Sequence, residues 1–92
     1  MVPIHPGRIL RRELQARQLS GNALARALRV PSGRIIDILN GKRSISAETA
    51  LRLGRYFGNA PQFWINLQGQ YDLAVAMHDV GKLVEREVQT GA

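Results

Sequence analysis

Residues 20–43, SGNALARALRVPSGRIIDILNGKR, read as two short helices joined by a tight turn and followed by a basic loop. Ser20 is placed to cap the first helix, because its hydroxyl can accept a bond from an orphan backbone N–H. Leu24, Ala25 and Leu28 then fall on one apolar face. Pro31 ends that helix and opens the next, since its ring suits a first turn and not a helix interior. Ile35, Ile38 and Leu39 form the second apolar stripe. Asn40-Gly41 closes it, with Gly41 free to take the left-handed backbone after the last turn. Lys42 and Arg43 follow at once.

Two such helices and a turn of three or four residues make a helix-turn-helix, the unit that enters the DNA major groove. The pattern is similar to that of the phage-repressor (Xre-like) family. Ala25 sits where that family places a small residue at the helix crossing. Arg29 takes a position that is commonly glycine there. A left-handed arginine is strained by roughly 1–2 kcal/mol, so a somewhat altered turn is expected.

Ninety-two residues allow one domain with one modest core. There are no cysteines, so no disulfide or thiolate metal site can form. Ile9-Leu10 runs straight into Arg11-Arg12-Glu13, which leaves no signal-peptide core. No apolar run approaches the roughly 20 residues of a membrane span. A cytoplasmic location is the expectation. The net charge is +6, unevenly spread. Residues 1–58 hold eleven Lys/Arg against three acids, whereas residues 59–92 hold two against four. A basic front and a mildly acidic back suggest two different partners, although an ordinary solvated surface would also account for charge alone.

The rest of the chain predicts an all-α fold of five helices with a short C-terminal tail that can be helical. Residues 1–5 read as an arm. Helix 1 is expected over about residues 6–17, with Ile9, Leu10 and Leu14 inward, and the motif helices over about 20–28 and 32–40. Ser46 caps helix 4 over about 47–57, with Ala47, Ala50, Leu51 and Gly54 inward and Glu48 suited to the positive end of its dipole. Pro61 opens helix 5, and Asn59 is expected to share the capping with the poor cap Ala60. Trp64, Leu67, Tyr71 and Ala74 form a core stripe. The chain divides into a DNA-binding domain, 1–76, and a tail, 77–92. A second stripe, Leu73, Met77, Val80 and Val84, has no obvious internal partner. Two readings stay open: a frayed tail, in which Gly81 weakens the helix by about 1 kcal/mol, or a dimer or partner surface.

An enzyme is hard to build from these residues. His5 and His78 are far apart, no ligand spacing for a metal exists, and the serines sit at caps and loops. Asp72 and Asp79 read as a solvated face. No cofactor and no metal are expected. DNA binding has a positive case. With Ile35, Ile38 and Leu39 inward, the outer face of the second motif helix is Gly33, Ile36, Asp37 and Asn40, edged by Ser32 and Arg34. Gly33 lets the backbone approach DNA, Ser32 can bond a base edge or phosphate, and Ile36 can shelter against a thymine methyl. Asp37 can accept from cytosine N4–H, or else pair with Arg34 three residues back, which is the reading preferred for it. Phosphates would be met by Ser20 and Asn22 at the start of the first motif helix and by Lys42-Arg43. Arg8, Arg11, Arg12, Arg52 and Arg55 read as solubilising surface.

As a whole the chain resembles the HigA-type antitoxins, the Xre-like branch also labelled VapI. The resemblance is carried by Ile4-His5-Pro6-Gly7 with Ile9-Leu10, and by Ser20 with 22–28. It continues through Val30-Pro31, Arg34-Ile35, Ile38 and 40–43, then 45–53, Tyr56-Phe57-Gly58, 61–68 and 71–73. It covers about residues 4–74. Departures are Arg29, Ser32-Gly33 in place of a common Pro-Ser pair, and Ala60 in place of a capping Ser or Thr. The resemblance implies a homodimer that binds a palindromic operator on double-stranded DNA in its own promoter. It also implies a second partner, a HigB-like toxin that cleaves mRNA on the ribosome. A two-fold dimer would present its recognition helices about 34–36 Å apart, one DNA turn. Two alternatives remain: a free-standing transcriptional regulator without a toxin, and a protein-interaction module that has lost DNA reading, which Asp37, Gly33 and Arg29 keep open.

Overall fold

A computed structural model describes residues 3–91, so part of the expected N-terminal arm lies outside the described residues. Five α-helices follow one another: α1 (Pro6–Ala16), α2 (Gly21–Leu28), α3 (Ser32–Leu39), α4 (Ala47–Phe57) and α5 (Pro61–Glu87). Among the described residues there is no strand.

Each helix starts and stops for a local reason. The ring nitrogen Nδ1 of His5 accepts the N–H of Gly7 at 2.9 Å and caps α1. Ser20 Oγ accepts the N–H of Ala23 at 3.0 Å, and Ser46 Oγ that of Thr49 at 3.3 Å. Pro31 stands at the cap of α3, just ahead of the expected start at Ser32, with no side-chain bond to the helix. Arg29 takes the left-handed conformation, φ 62 and ψ 43. The turn it makes is nonetheless the usual closure: Val30 N–H reaches Ala25 O at 3.0 Å and Arg29 N–H reaches Arg26 O at 3.2 Å. Arg29 carries the strain of that conformation, and the turn is not altered.

The core gathers Leu10, Leu14, Leu24, Leu28, Ile35, Ile38, Ile45, Leu53 and Trp64 around the buried Ala25 and Ala50. The small residue at the crossing is thus where the α2–α3 pair meets. Gly7 marks a second close approach. A Cβ there would collide with the backbone carbonyl of Ile38, so α1 abuts the end of α3 without any side chain between. In α4 the expected inward stripe holds at Ala50 and Gly54 but not at Ala47 and Leu51, whose places are taken by Thr49 and Leu53. Thr49, Ala50, Leu53 and Gly54 are buried, while Ala47 and Leu51 are exposed. Leu51 instead lines a shallow groove with Ala27, Leu28 and Tyr56.

Helix α5 begins at Pro61 after Ala60, which gives no side-chain cap. Asn59 does not cap it either; its Oδ1 accepts the indole N–H of the buried Trp64 at 3.1 Å. At 27 residues α5 is about 40 Å long, at 1.5 Å per residue. Only its first half packs on the core, through Trp64, Leu67, Gln68 and Tyr71. It runs unbroken past Gly81, and the molecule is drawn out to 48 × 24 × 22 Å. No described helix is long and apolar enough to cross a membrane.

Candidate nucleic-acid interface

The free end of α3 is built by what α3 lacks. Its cap is a proline, so no side chain closes the first turn, and Ser32 and Gly33 are exposed. Nothing lies within 4 Å of where a Cβ of Gly33 would stand. Unsatisfied N–H groups at such an end, with the positive pole of the helix dipole, suit an anion. One turn on, Ile36 is 38% exposed, large and apolar on this outward face. Its Cδ1 would be 3.0 Å from a Cβ on Gly21, so the start of α2 supports it from behind. Asn22 is exposed in the first turn of α2, and Ser20 spends its acceptor on the α2 cap.

The charged side chains of the face are tied down, and not as their spacing suggests. Arg34 does not pair with Asp37. Its Nη1 meets Glu48 Oε1 at 3.2 Å, reaching from α3 to the first turn of α4. Asp37 faces Arg43 Nη2 at 3.6 Å, which joins α3 to the basic loop that follows it. Asn40 Oδ1 accepts from Arg11 Nη2 at 3.2 Å, and the same nitrogen lies 3.3 Å from Leu39 O. Because arginine only donates, the orientation of the Asn40 amide is fixed, with its NH₂ away from Arg11. Lys42 and Arg43 are exposed on the loop.

Two arginines read as solubilising surface therefore have structural duties. Arg11 from α1 covers the carbonyl end of α3. Arg52 from α4 does the same for α2, donating from Nη1 to Leu28 O at 2.8 Å. A cation at a helix C-terminus also meets the negative pole of its dipole. Arg52 further holds Glu48, at 3.1 Å from Nη2 and 3.3 Å from Nε to Oε2. That bond, then the nearby charges of Arg34 and Arg52, hold the Glu48 carboxyl below its ordinary value. Gln68 escaped the sequence reading altogether. It is a polar residue in the core, and its Oε1 accepts the N–H of Ile45 at 2.8 Å.

The second stripe is left bare. Leu73 is 63% exposed and Met77 65%, with Val80, Leu83 and Val84 also open on the far half of α5. Leu73, Met77, Val80 and Val84 share one apolar hollow with Gly81. Among the described residues no three His, Asp or Glu side chains gather as metal ligands.

A helix-turn-helix family model matches residues 10–64, which takes in α2, the turn and α3. Virulence-associated protein I of Dichelobacter nodosus is 52% identical over 80 residues, 86% of this chain and 74% of that protein. The structure is similar to that of an addiction module antidote protein of a HigA family from Coxiella burnetii. The TM-score is 0.94, with 50% identity over 98% of this chain and 99% of that one. The Pseudomonas aeruginosa antitoxin HigA, solved with the higBA promoter, matches with a TM-score of 0.94 and 49% identity, over 98% and 99% of the two chains.

Proposed function

Since the chain belongs to the helix-turn-helix family, in its non-enzymatic HigA branch, we propose that it is a cytoplasmic antitoxin that represses its own operon. One observation carries this reading. The exposed, uncapped start of α3 and the basic loop Lys42-Arg43 after its other end occur in a chain that matches, over nearly its whole length, an antitoxin solved with its promoter. Ser32, Gly33, Arg34, Ile36 and Asn40 would face base edges; Ser20, Asn22, Lys42 and Arg43 would face phosphates. Asp37 would hold Arg43 in place until a phosphate competes for it.

The operator is a palindrome read by a homodimer. Two copies meet through the bare stripe Leu73, Met77, Val80 and Val84, which a monomer leaves in water at a cost of about 25 cal/mol per Å² of apolar area. Residues 1–76 then form the reading domain and 77–92 the pairing tail. The protein partner is a HigB-like mRNA-cleaving toxin.

Fluorescence anisotropy with the promoter duplex of its own operon and a scrambled duplex, over a salt series, tests the reading. Promoter binding about a thousandfold tighter, with a steep salt slope, is expected. Equal weak binding to both would overturn it in favour of a protein-interaction module.

A further inference from the structure

We propose that Glu48 is a positioning residue for operator recognition: it holds the Arg34 guanidinium in the orientation that reads a guanine in the major groove. The inference deepens the reading of α3 as the operator-contacting helix and rests on it.

Arg34 is the third residue of α3, in the N-terminal part of a recognition helix that reaches base edges. Its neighbours Ser32 and Gly33 are exposed, yet the Arg34 side chain keeps only 27% of its surface open. The bond from its Nη1 to Glu48 Oε1 uses one of its five donors and leaves the rest of the fork available. Arginine reads guanine by presenting two parallel donors to O6 and N7, so its orientation matters as much as its charge.

Glu48 is itself fixed, which separates this pair from a passing surface contact. Its other oxygen takes two bonds from Arg52, and Arg52 is anchored on the last carbonyl of α2, Leu28 O. The end of α2, the first turn of α4 and the reading side chain of α3 are thus linked in one chain of bonds. The Arg52 hydrogen bond, then the charges of Arg34 and Arg52, favour the ionised form of Glu48 that this chain of bonds requires. A carboxylate beside a DNA-facing surface repels phosphates, so its presence there is unfavourable for affinity alone. Holding Arg34 ready is a role that accepts this penalty in exchange for discrimination.

The two effects have opposite signs, and the experiment reads both. Operator and scrambled duplexes are titrated with wild type, Glu48→Ala, Arg34→Ala and the double variant at two salt concentrations. Glu48→Ala should bind scrambled DNA more tightly than wild type, yet its operator-to-scrambled ratio should fall about tenfold, the scale of one bidentate base contact. In the Arg34→Ala background, adding Glu48→Ala should leave the ratio unchanged within about twofold, as residues acting through one contact are non-additive. Melting curves accompany each variant. Should Glu48→Ala melt at the assay temperature, Glu48→Gln, which keeps the side-chain size, takes its place with the same sign expected. A ratio that holds or rises in Glu48→Ala overturns the proposal, because Glu48 would then compete with DNA for Arg34. An equal fall in both backgrounds overturns it too, since Glu48 would not act through Arg34. If wild type itself fails to discriminate, the operator reading falls together with this one; if wild type discriminates and Glu48→Ala does so equally, only the role of Glu48 falls.

Discussion

The side-chain oxygen of Gln68, midway along α5's packed half, accepts the backbone N–H of Ile45 at 2.8 Å. Both residues are buried, and the bond joins the loop after α3 to the helix that also projects away from the core. Gln68 Nε2 donates onward to Asp72 Oδ1 at 2.9 Å, so the amide cannot turn over without losing both partners. Replacing Gln68 by Leu leaves a buried N–H unpaired, which costs about 1–3 kcal/mol. For a domain of this size that lowers the melting temperature by about 4–8 °C per kcal/mol. Operator affinity should fall while the salt slope stays, since Lys42 and Arg43 keep their charges. Thermal melts and anisotropy titrations read the two effects.

Gly33 separates stability from recognition. Nothing surrounds the place a Cβ would take, and glycine weakens a helix by roughly 0.5–1 kcal/mol against alanine. Gly33→Ala should therefore melt higher than wild type. The same methyl would stand on the exposed face proposed to meet DNA, so operator affinity should drop. A variant both more stable and equally tight on the operator would place the groove elsewhere on α3.

Arg29 is a departure from glycine in a position that demands a left-handed backbone, and the structure meets the demand with arginine strained. Arg29→Gly relieves about 1–2 kcal/mol of strain and gives back part of it as chain entropy. A net gain of about 0.5–1 kcal/mol is expected by urea denaturation. The turn already has the usual closure, so operator discrimination should not change.

Much of the fold was legible because its signals are local. The caps Ser20 and Ser46, the stop at Gly58 and the alternation of apolar stripes all act within a few residues, and the helices begin and end there. The misreadings are of another kind. Asp37 and Arg34 have the spacing of a helical pair, but Glu48 and Arg43 arrive from α4 and the loop and take one each. Arg11 and Arg52 look like surface cations because the carbonyls they cover belong to other helices. Asn59 looks like a cap until the indole of Trp64 needs an acceptor. The α4 stripe, right at Ala50 and Gly54 but not at Ala47 and Leu51, shows the same limit. Ala47 and Leu51 lie on a helical face, and tertiary packing chose its neighbour.

Glu48 gives the pH dependence. Its carboxyl is held below the ordinary value of 4.5, by the Arg52 hydrogen bond first and then by the charges of Arg34 and Arg52. A group whose folded pKa lies below its unfolded one stabilises the fold above the unfolded value and loses that contribution as pH falls through the folded one. The stability difference between wild type and Glu48→Gln should thus be constant from neutral pH down to about pH 5.5. It should shrink as acid is added beyond that. Denaturation series at several pH values check this, and a difference that grew on acidification would contradict the ion-pair geometry.

Met77 tests the pairing of two copies without touching the core. Its side chain lies on the far half of α5, 65% exposed, in the hollow with Leu73, Val80 and Val84. A glutamate there disturbs no packed neighbour in the single chain, so the melting temperature at low concentration should stay within a degree or two, as for surface substitutions within about 0.5 kcal/mol. In a dimer it would place two carboxylates across an apolar seam, and burying an unpaired charge is strongly unfavourable. Sedimentation should report the monomer mass for Met77→Glu where wild type reports twice that. Operator binding should weaken sharply, and the salt slope per bound chain should not, because each reading domain still meets its own half-site. A dimer that survives this change would have its seam on another face of the molecule, and the bare stripe would then be free for the proposed toxin partner.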